Sequence, residues 1–158
     1  MANIFEVAEL WDKLNIKEIS ATIIKGHKTE IETIQKDQLY SGKTNEGTDI
    51  KPFYSEDPYF KKPGAAQRYA AWKEKITPDP RRPFDVPNLF IVGKFYLSIK
   101  GRDIVNGITM VTSGSFAARI VSKFSNVLGL NENSIEIYID KYHKEPFIKS
   151  VREAVGLD

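Results

Sequence analysis

Four of the chain's eight prolines, Pro78, Pro80, Pro83 and Pro87, fall in the single stretch "TPDPRRPFDVP". Each removes a backbone donor and fixes φ, so neither a helix nor an inner strand can run through this stretch. The segment from about 77 to 88 is therefore expected as an extended, polyproline-like arm or long loop. Loops of that length in a compact domain are usually functional or disordered. Regular structure has to lie on either side of it.

On the N-terminal side the apolar residues keep a helical period. Phe5, Ala8, Leu10, Trp11 and Leu14 predict a short amphipathic helix over Ile4 to Leu14. Ile16, Ile19, Ile23, Ile24, Ile31 and Ile34 predict a second helix from about Ile16 to Leu39, with Gly26 weakening its middle by about 1 kcal/mol relative to Ala. Ser41 to Thr48 has the composition of a solvated turn, in which Gly42 and Gly47 can take positive φ. "DIKPFYS" reads as a short edge strand, since Pro52 bars it from the middle of a sheet. "PGAAQRYAAWKEKI" opens a third helix near Pro63 and sets Tyr69 and Trp72 three residues apart.

Beyond the prolines, "NLFIVGKFYLSIKG" passes through a turn or short helix at Gly93 into a strand. "IKGRDIV" and "GITMVTS" flank Asn106-Gly107, a pair suited to the primed turn that closes a hairpin. "FAARIVSKFSNVLGL" is expected as a helix stopping near Gly129. "NENSIEIYIDKYH" alternates like a strand at Ile135, Ile137 and Ile139, yet Asn131 is a good helix cap, and helix is the preferred reading. In "EPFIKSVREAVGLD", Phe147, Val151 and Val155 recur every four residues. The expected architecture is one α+β domain over residues 1–158, with a helical N-terminus, a small antiparallel sheet with a hairpin near 98–113, and a helical C-terminus.

Composition narrows function only slightly. At 158 residues, with 41% hydrophobic and 28% charged residues, the chain suits a folded soluble domain. A net charge of +2 makes no global case for nucleic acid. From Lys61 to Lys100, however, nine Lys or Arg stand against three Asp or Glu, enough for a local basic face. Cysteine is absent, which removes disulfides, thiolate metal sites and a Cys nucleophile together. The acidic N-terminus does not resemble a signal peptide, and no apolar run approaches the roughly 20 residues of a membrane span, so an intracellular origin is expected.

The catalytic motifs fail on spacing. "SGKT" supplies the end of a nucleotide-binding P-loop, but the required first glycine falls at position 37, which is Asp37. A carboxylate there repels phosphate. His27 and His143 are far apart in sequence and lack metal-ligand spacing. Asp49, Glu56 and Asp57 lack the alternating oxygen donors of a calcium loop. Ser113 and Ser115 around Gly114 miss the G-x-S-x-G frame of a nucleophile elbow. The rings of "FYSEDPYF" sit among acids, which suits packing or a subunit contact better than base stacking. No catalytic, cofactor-binding or metal-ligating residue is assigned.

Taken in order, "QLYSGKTNEGTDIKPFYS", "AAQRYAAWKEKI" and "PNLFIVGKFYLSIKG" resemble a family of small tailed-phage and prophage virion proteins, especially from phages of Bacteroidetes. Gly42, Gly47, Asp49, Pro52, Tyr54 and Ser55 match its first block, and Gly93, Phe95, Ser98 and Ile99 its last. The likeness spans about Gln38 to Gly107, with a weaker echo in "LGLNENS", and Val92 stands where the family usually has Thr. It implies a neck (head-tail connector) or tail-completion protein, in the virion and in host cytoplasm during assembly. The partners implied are sister copies in a ring, twelve-fold by family likeness, together with portal, adjacent neck-ring or tail proteins, and no membrane.

Ring subunits meet head to tail through two different patches, favouring exposed aromatic and Arg-bearing elements. Arg68, Tyr69, Trp72, Arg81, Arg82, Phe84 and Phe95 are the expected subunit or partner contacts. Two alternatives stand beside this reading. One is a nucleic-acid-binding module using the basic 61–100 face, including non-specific contact with phage DNA; the other is a small hydrolase.

Overall fold

The computed structural model describes residues 4–157. Its helices are α1 (Ile4–Asp12), α2 (Ile16–Gly26), α3 (Lys28–Tyr40), α4 (Ala65–Ile76), α5 (Lys94–Ser98), α6 (Ser115–Lys123), α7 (Glu132–Tyr138) and α8 (Lys144–Ala154). β1 (Lys100–Ile104) and β2 (Gly107–Val111) form one antiparallel sheet, so the α+β class with helical ends holds. The side chain of Phe5, counted in the expected apolar face of α1, lies outside what is described.

The helix expected over 16–39 is two. His27 separates α2 from α3 at φ −112°, ψ 31°. Its amide donates to the Ile24 carbonyl, one residue short of the helical partner, and its ring Nδ1 sits 2.9 Å from the Ile23 carbonyl left over. The break thus falls one residue after Gly26, where helix propensity is weakest. The two segments form a spine: β2 and α8 pack on α2, and β1 and α7 pack on α3.

The hairpin is present, registered from Lys100 opposite Val111 to Ile104 opposite Gly107. Its turn sits one residue earlier than the sequence suggests. Val105 and Asn106 form the loop without positive φ, and Gly107 takes φ 152° as the first residue of β2. The primed turn is not used, because glycine supplies the unusual backbone one position later.

Two other expectations are corrected. "DIKPFYS" makes no strand: after an isolated bridge between Lys43 and Asp49 the chain runs through a cis Lys51–Pro52 peptide into a 3₁₀ turn, Tyr54–Glu56. There the backbone pairs with the proline-rich segment, Tyr54 N–H donating to the Asp85 carbonyl and Ser55 N–H to the Asp85 carboxylate, each at 3.0 Å. The expected helix ending near Gly129 stops at Lys123. Asn126 then adopts φ 59°, and buried Val127 turns into the core.

The proline-rich segment is no free arm. Arg82 is buried at 4% exposure, its guanidinium donating to the Val86 and Thr77 carbonyls at 2.9 Å each and lying 3.2 Å from Glu74. A chain poor in backbone donors leaves carbonyls without ladder partners, and one five-donor side chain satisfies two of them from inside. Val86 then joins Leu39, Ile50, Phe95, Tyr96 and Ile99 in the main core.

Helix was the right reading of 131–143, with Asn131 Oδ1 accepting from Ser134 N–H at 2.9 Å. From Ile139 to His143 the helix widens to π, Lys144 N–H reaching back to the Ile139 carbonyl. Pro146 explains this. It has no N–H for the Tyr142 carbonyl, and its ring crowds that carbonyl, so the turn ahead of it opens.

Candidate subunit-contact site

α4 carries the site because its two faces differ. Ala66, Ala70 and Lys73 are buried, small residues at 66 and 70 letting the helix approach closely, while Arg68 and Trp72 face outward. Tyr69 lies between them, its ring centroid 5.1 Å from Tyr54, 5.0 Å from Phe60 and 5.4 Å from Trp72. Tyr59 extends this ladder edge-on to Phe60 at 5.3 Å. Such contacts favour tilted and edge-to-face rings.

Beside the ladder opens a cleft of about 510 Å³, walled by the 54–60 turn, α4, the 87–93 segment, α5 and α6. Phe95 and Phe90 line its interior, and Tyr59, Ile91, Val92 and Phe116 stand at its exposed rim. Val92 is 72% and Tyr59 78% exposed. Leu89, on the same wall, holds φ 58°, a left-handed conformation that bulky residues rarely adopt. Lys123 Nζ meets Asp57 at 2.5 Å, fastening the 54–60 turn to α6.

Lys73 points its ammonium into this apolar surround. Its Nζ donates to the Phe90 carbonyl. Burial, reinforced by the neighbouring Arg82 charge, lowers its pKa to about 8. Among the described residues no carboxylate lies within 4.0 Å of Lys73 or of Lys94 at the cleft mouth.

The expected contact residues divide accordingly. Arg68, Trp72 and Phe84 are exposed, and Tyr69 is half-buried in the ladder. Arg81 is exposed but held by Asp37 and Asp79, in a different hollow shared with Lys141. Arg82 and Phe95 are corrected as exposed contacts: the one seals the proline-rich segment from within, and the other is core at 2% exposure, forming only the inner wall of the cleft. The basic face thins with them, since Lys73 and Arg82 are interior and Arg81 and Lys100 are paired with acids. Periodicity missed the rim residues Ile91, Val92 and Phe116; the signal available was an apolar pair directly before Gly93, in a segment too short for its own core.

The Gly-Lys-Thr triplet sits in a closed turn, where Lys43 Nζ bonds Asp49 at 2.6 Å and Thr44 pairs with Thr48 at 2.8 Å. Its lysine is satisfied by a carboxylate. The two histidines, remote in sequence, converge: His27 packs on Tyr138 and Tyr142, and His143 packs on Tyr138. His143 Nε2 lies 3.2 Å from Ser20 Oγ and its Nδ1 3.2 Å from Tyr138 Oη. The imidazole thus has a phenol where a nucleophilic triad has a carboxylate, and burial raises the Tyr138 pKa, keeping that phenol neutral. The arrangement ties α2 to the π turn.

Among the described residues no group of three His, Cys, Asp or Glu side chains is placed to hold a metal, and no helix is long and apolar enough to cross a membrane. Compared with protein-family models, curated proteins and solved structures, the chain matches none.

Proposed function

We propose that this chain is a structural subunit of a tailed-phage virion, working in the head-tail connector or tail-completion layer as one copy of a ring held by protein–protein contacts. The observation that carries the reading is the open aromatic cleft beside α4, with large apolar side chains at its rim. Exposed apolar clusters on a folded chain mark contact surfaces. Burying one such side chain fully gains about 1.5–3 kcal/mol, and Trp and Tyr anchors are where interfaces concentrate binding energy. The virion assignment itself is supported by the resemblance across residues 38–107, whose matching positions Gly42, Tyr54, Phe95 and Ile99 are turn and core residues here. Portal, an adjacent neck ring or tail proteins are the heterologous partners, with host cytoplasm as the place of assembly.

The test is native mass spectrometry and negative-stain imaging of the purified protein, alone and with virion extracts. A closed annulus, or co-sedimentation with particles, is expected. A protein that ignores particles but binds DNA, with affinity falling steeply as salt rises, overturns the reading in favour of a nucleic-acid module.

A further inference from the structure

Helix α1 is a poor fit to its own chain. None of its described side chains is fully buried: Val7 and Leu10 are half-buried, and Trp11 is 47% exposed. It packs only sparsely on the other helices and strands. Val7, Leu10 and Trp11 of α1 lie at i, i+3 and i+4, the start of the spacing of anchors by which an amphipathic helix enters an apolar groove, and Leu14 follows just past the helix end. Its charge is one-sided: Glu6, Glu9 and Asp12, with no Lys or Arg between Ile4 and Asp12.

The cleft beside α4 has the opposite character. It is aromatic and aliphatic, and its charged walls are Lys73, Lys94 and Lys123 against the single carboxylate of Asp57. Asp57 is spent on Lys123, which leaves Lys73 and Lys94 without an acidic partner among the described residues. A cation buried in apolar surroundings is costly until a counter-charge arrives. The nine residues of α1 span about 13 Å, enough to lay Val7, Leu10 and Trp11 along such a mouth.

We propose that α1 of one copy docks in the aromatic cleft of a second copy, Leu10 and Trp11 entering between Phe116 and Val92 while Glu9 and Asp12 meet Lys94 and the charge of Lys73. The occupant is a second copy of this chain, chosen by the match of an acidic apolar helix to a basic apolar cleft. The two patches are different surfaces of one chain, so the contact is heterologous and closes into a ring or runs on as a filament. The inference deepens the proposed assembly role and rests on it.

The chain has no cysteine, so cross-linking is clean. W11C and F116C chains, each otherwise intact, are mixed and oxidised, and the linked peptides are mapped by mass spectrometry. A disulfide joining position 11 of one chain to position 116 of another is expected. In parallel, sedimentation velocity compares the wild type with E9K/D12K and K94E chains, whose altered residues are all exposed, so circular dichroism should show the fold retained. Each is expected to weaken self-association at least 10-fold, and mixing the two to restore it. Oligomers that persist unchanged in E9K/D12K, without the 11–116 link, overturn the inference while leaving the ring reading standing. A wild type that stays monomeric at all concentrations, alone and with virion extracts, overturns both.

Discussion

Arg81 grips Asp37 across 44 positions of sequence with both guanidinium branches, Nη1 to Oδ2 at 2.8 Å and Nη2 to Oδ1 at 2.9 Å. The carboxylate that disqualifies the P-loop therefore has a structural role of its own, anchoring the proline-rich segment to α3. The same guanidinium reaches Asp79, whose carboxyl is held below the usual range first by those hydrogen bonds, against the opposing effect of its burial.

These two acids should respond differently to removal. Asp37 and Arg81 are both more than half exposed, so Asp37→Ala should cost no more than about 1 kcal/mol in urea unfolding. Asp79 is buried and also accepts the Arg81 backbone N–H at 2.8 Å. Asp79→Ala is expected to cost about 1–3 kcal/mol. Equal losses for the two variants would contradict this division between an exposed and a buried anchor.

Lys73 should oppose folding at neutral pH. Its folded pKa of about 8 lies below the ordinary 10.5, so between those values the unfolded chain binds more protons and stability rises with pH. Below pH 8 the full penalty is present. Lys73→Met, which keeps the volume, should therefore be more stable than wild type at pH 7, by about 1–3 kcal/mol. The gap should narrow as pH rises from 8 toward 10. A gap that does not vary with pH in chemical denaturation would argue against the buried ammonium.

His143 should make the fold acid-sensitive. Its pKa is lowered from 6.5, first by burial and then by the His27 charge. The neutral ring is the folded form, and its contribution is present at neutral pH and lost as pH falls below 6.5 through the folded value. His143→Gln is expected to flatten the loss of stability as pH falls below 6.5, followed by thermal melts at a series of acidic pH values.

Gly42 is irreplaceable on two counts. It sits at φ 76°, and a methyl at its α-carbon would come within 2.6 Å of Val86 Cγ1. Gly42→Ala should cost at least about 2 kcal/mol. Gly47 has nearly the same φ, 77°, with nothing near its missing side chain, so Gly47→Ala should cost less, and the difference between the two melts isolates the packing clash.

Gln35 and Gln38 act as a buried clamp. Gln35 donates to the Val127 carbonyl at 3.1 Å and accepts from Gly129 N–H at 2.7 Å; Gln38 donates to the Gly129 carbonyl at 3.0 Å and accepts from Asn131 N–H at 2.8 Å. They replace the ladder partners that residues 127–131 lack. Either change to Ala leaves buried backbone groups unpaired, with an expected cost of about 2–4 kcal/mol for the pair of bonds and faster amide exchange at Gly129 or Asn131.

Particular elements show where sequence reading succeeds. The hairpin, with its turn one residue earlier than Asn106-Gly107, α4 and α7 were legible in that dipeptide, in the Tyr69–Trp72 spacing and in the Asn131 cap, all signals spanning only a few residues. The α2–α3 break was half visible in Gly26, but the His27 ring completing it gives no periodic mark. The candidate cleft was visible only in its α4 wall, because Ile91, Val92 and Phe116 come together from segments whose own patterns are too short to read. Asp37 shows the limit well: its neighbours at 41–44 suggested what it excludes, and only the partner at 81 shows what it does.

The hairpin, α4 and α7, the need for special backbone at Gly42, Gly47 and Gly107, and the exclusion of thiol chemistry were set by the chain alone, because period, capping and turn strain are local. Which lysine or arginine is interior was decided only on folding. Lys73 and Arg82 look like any solvated cations in sequence, yet packing buries both, because a side chain's surroundings are supplied by residues far along the chain that no local pattern names.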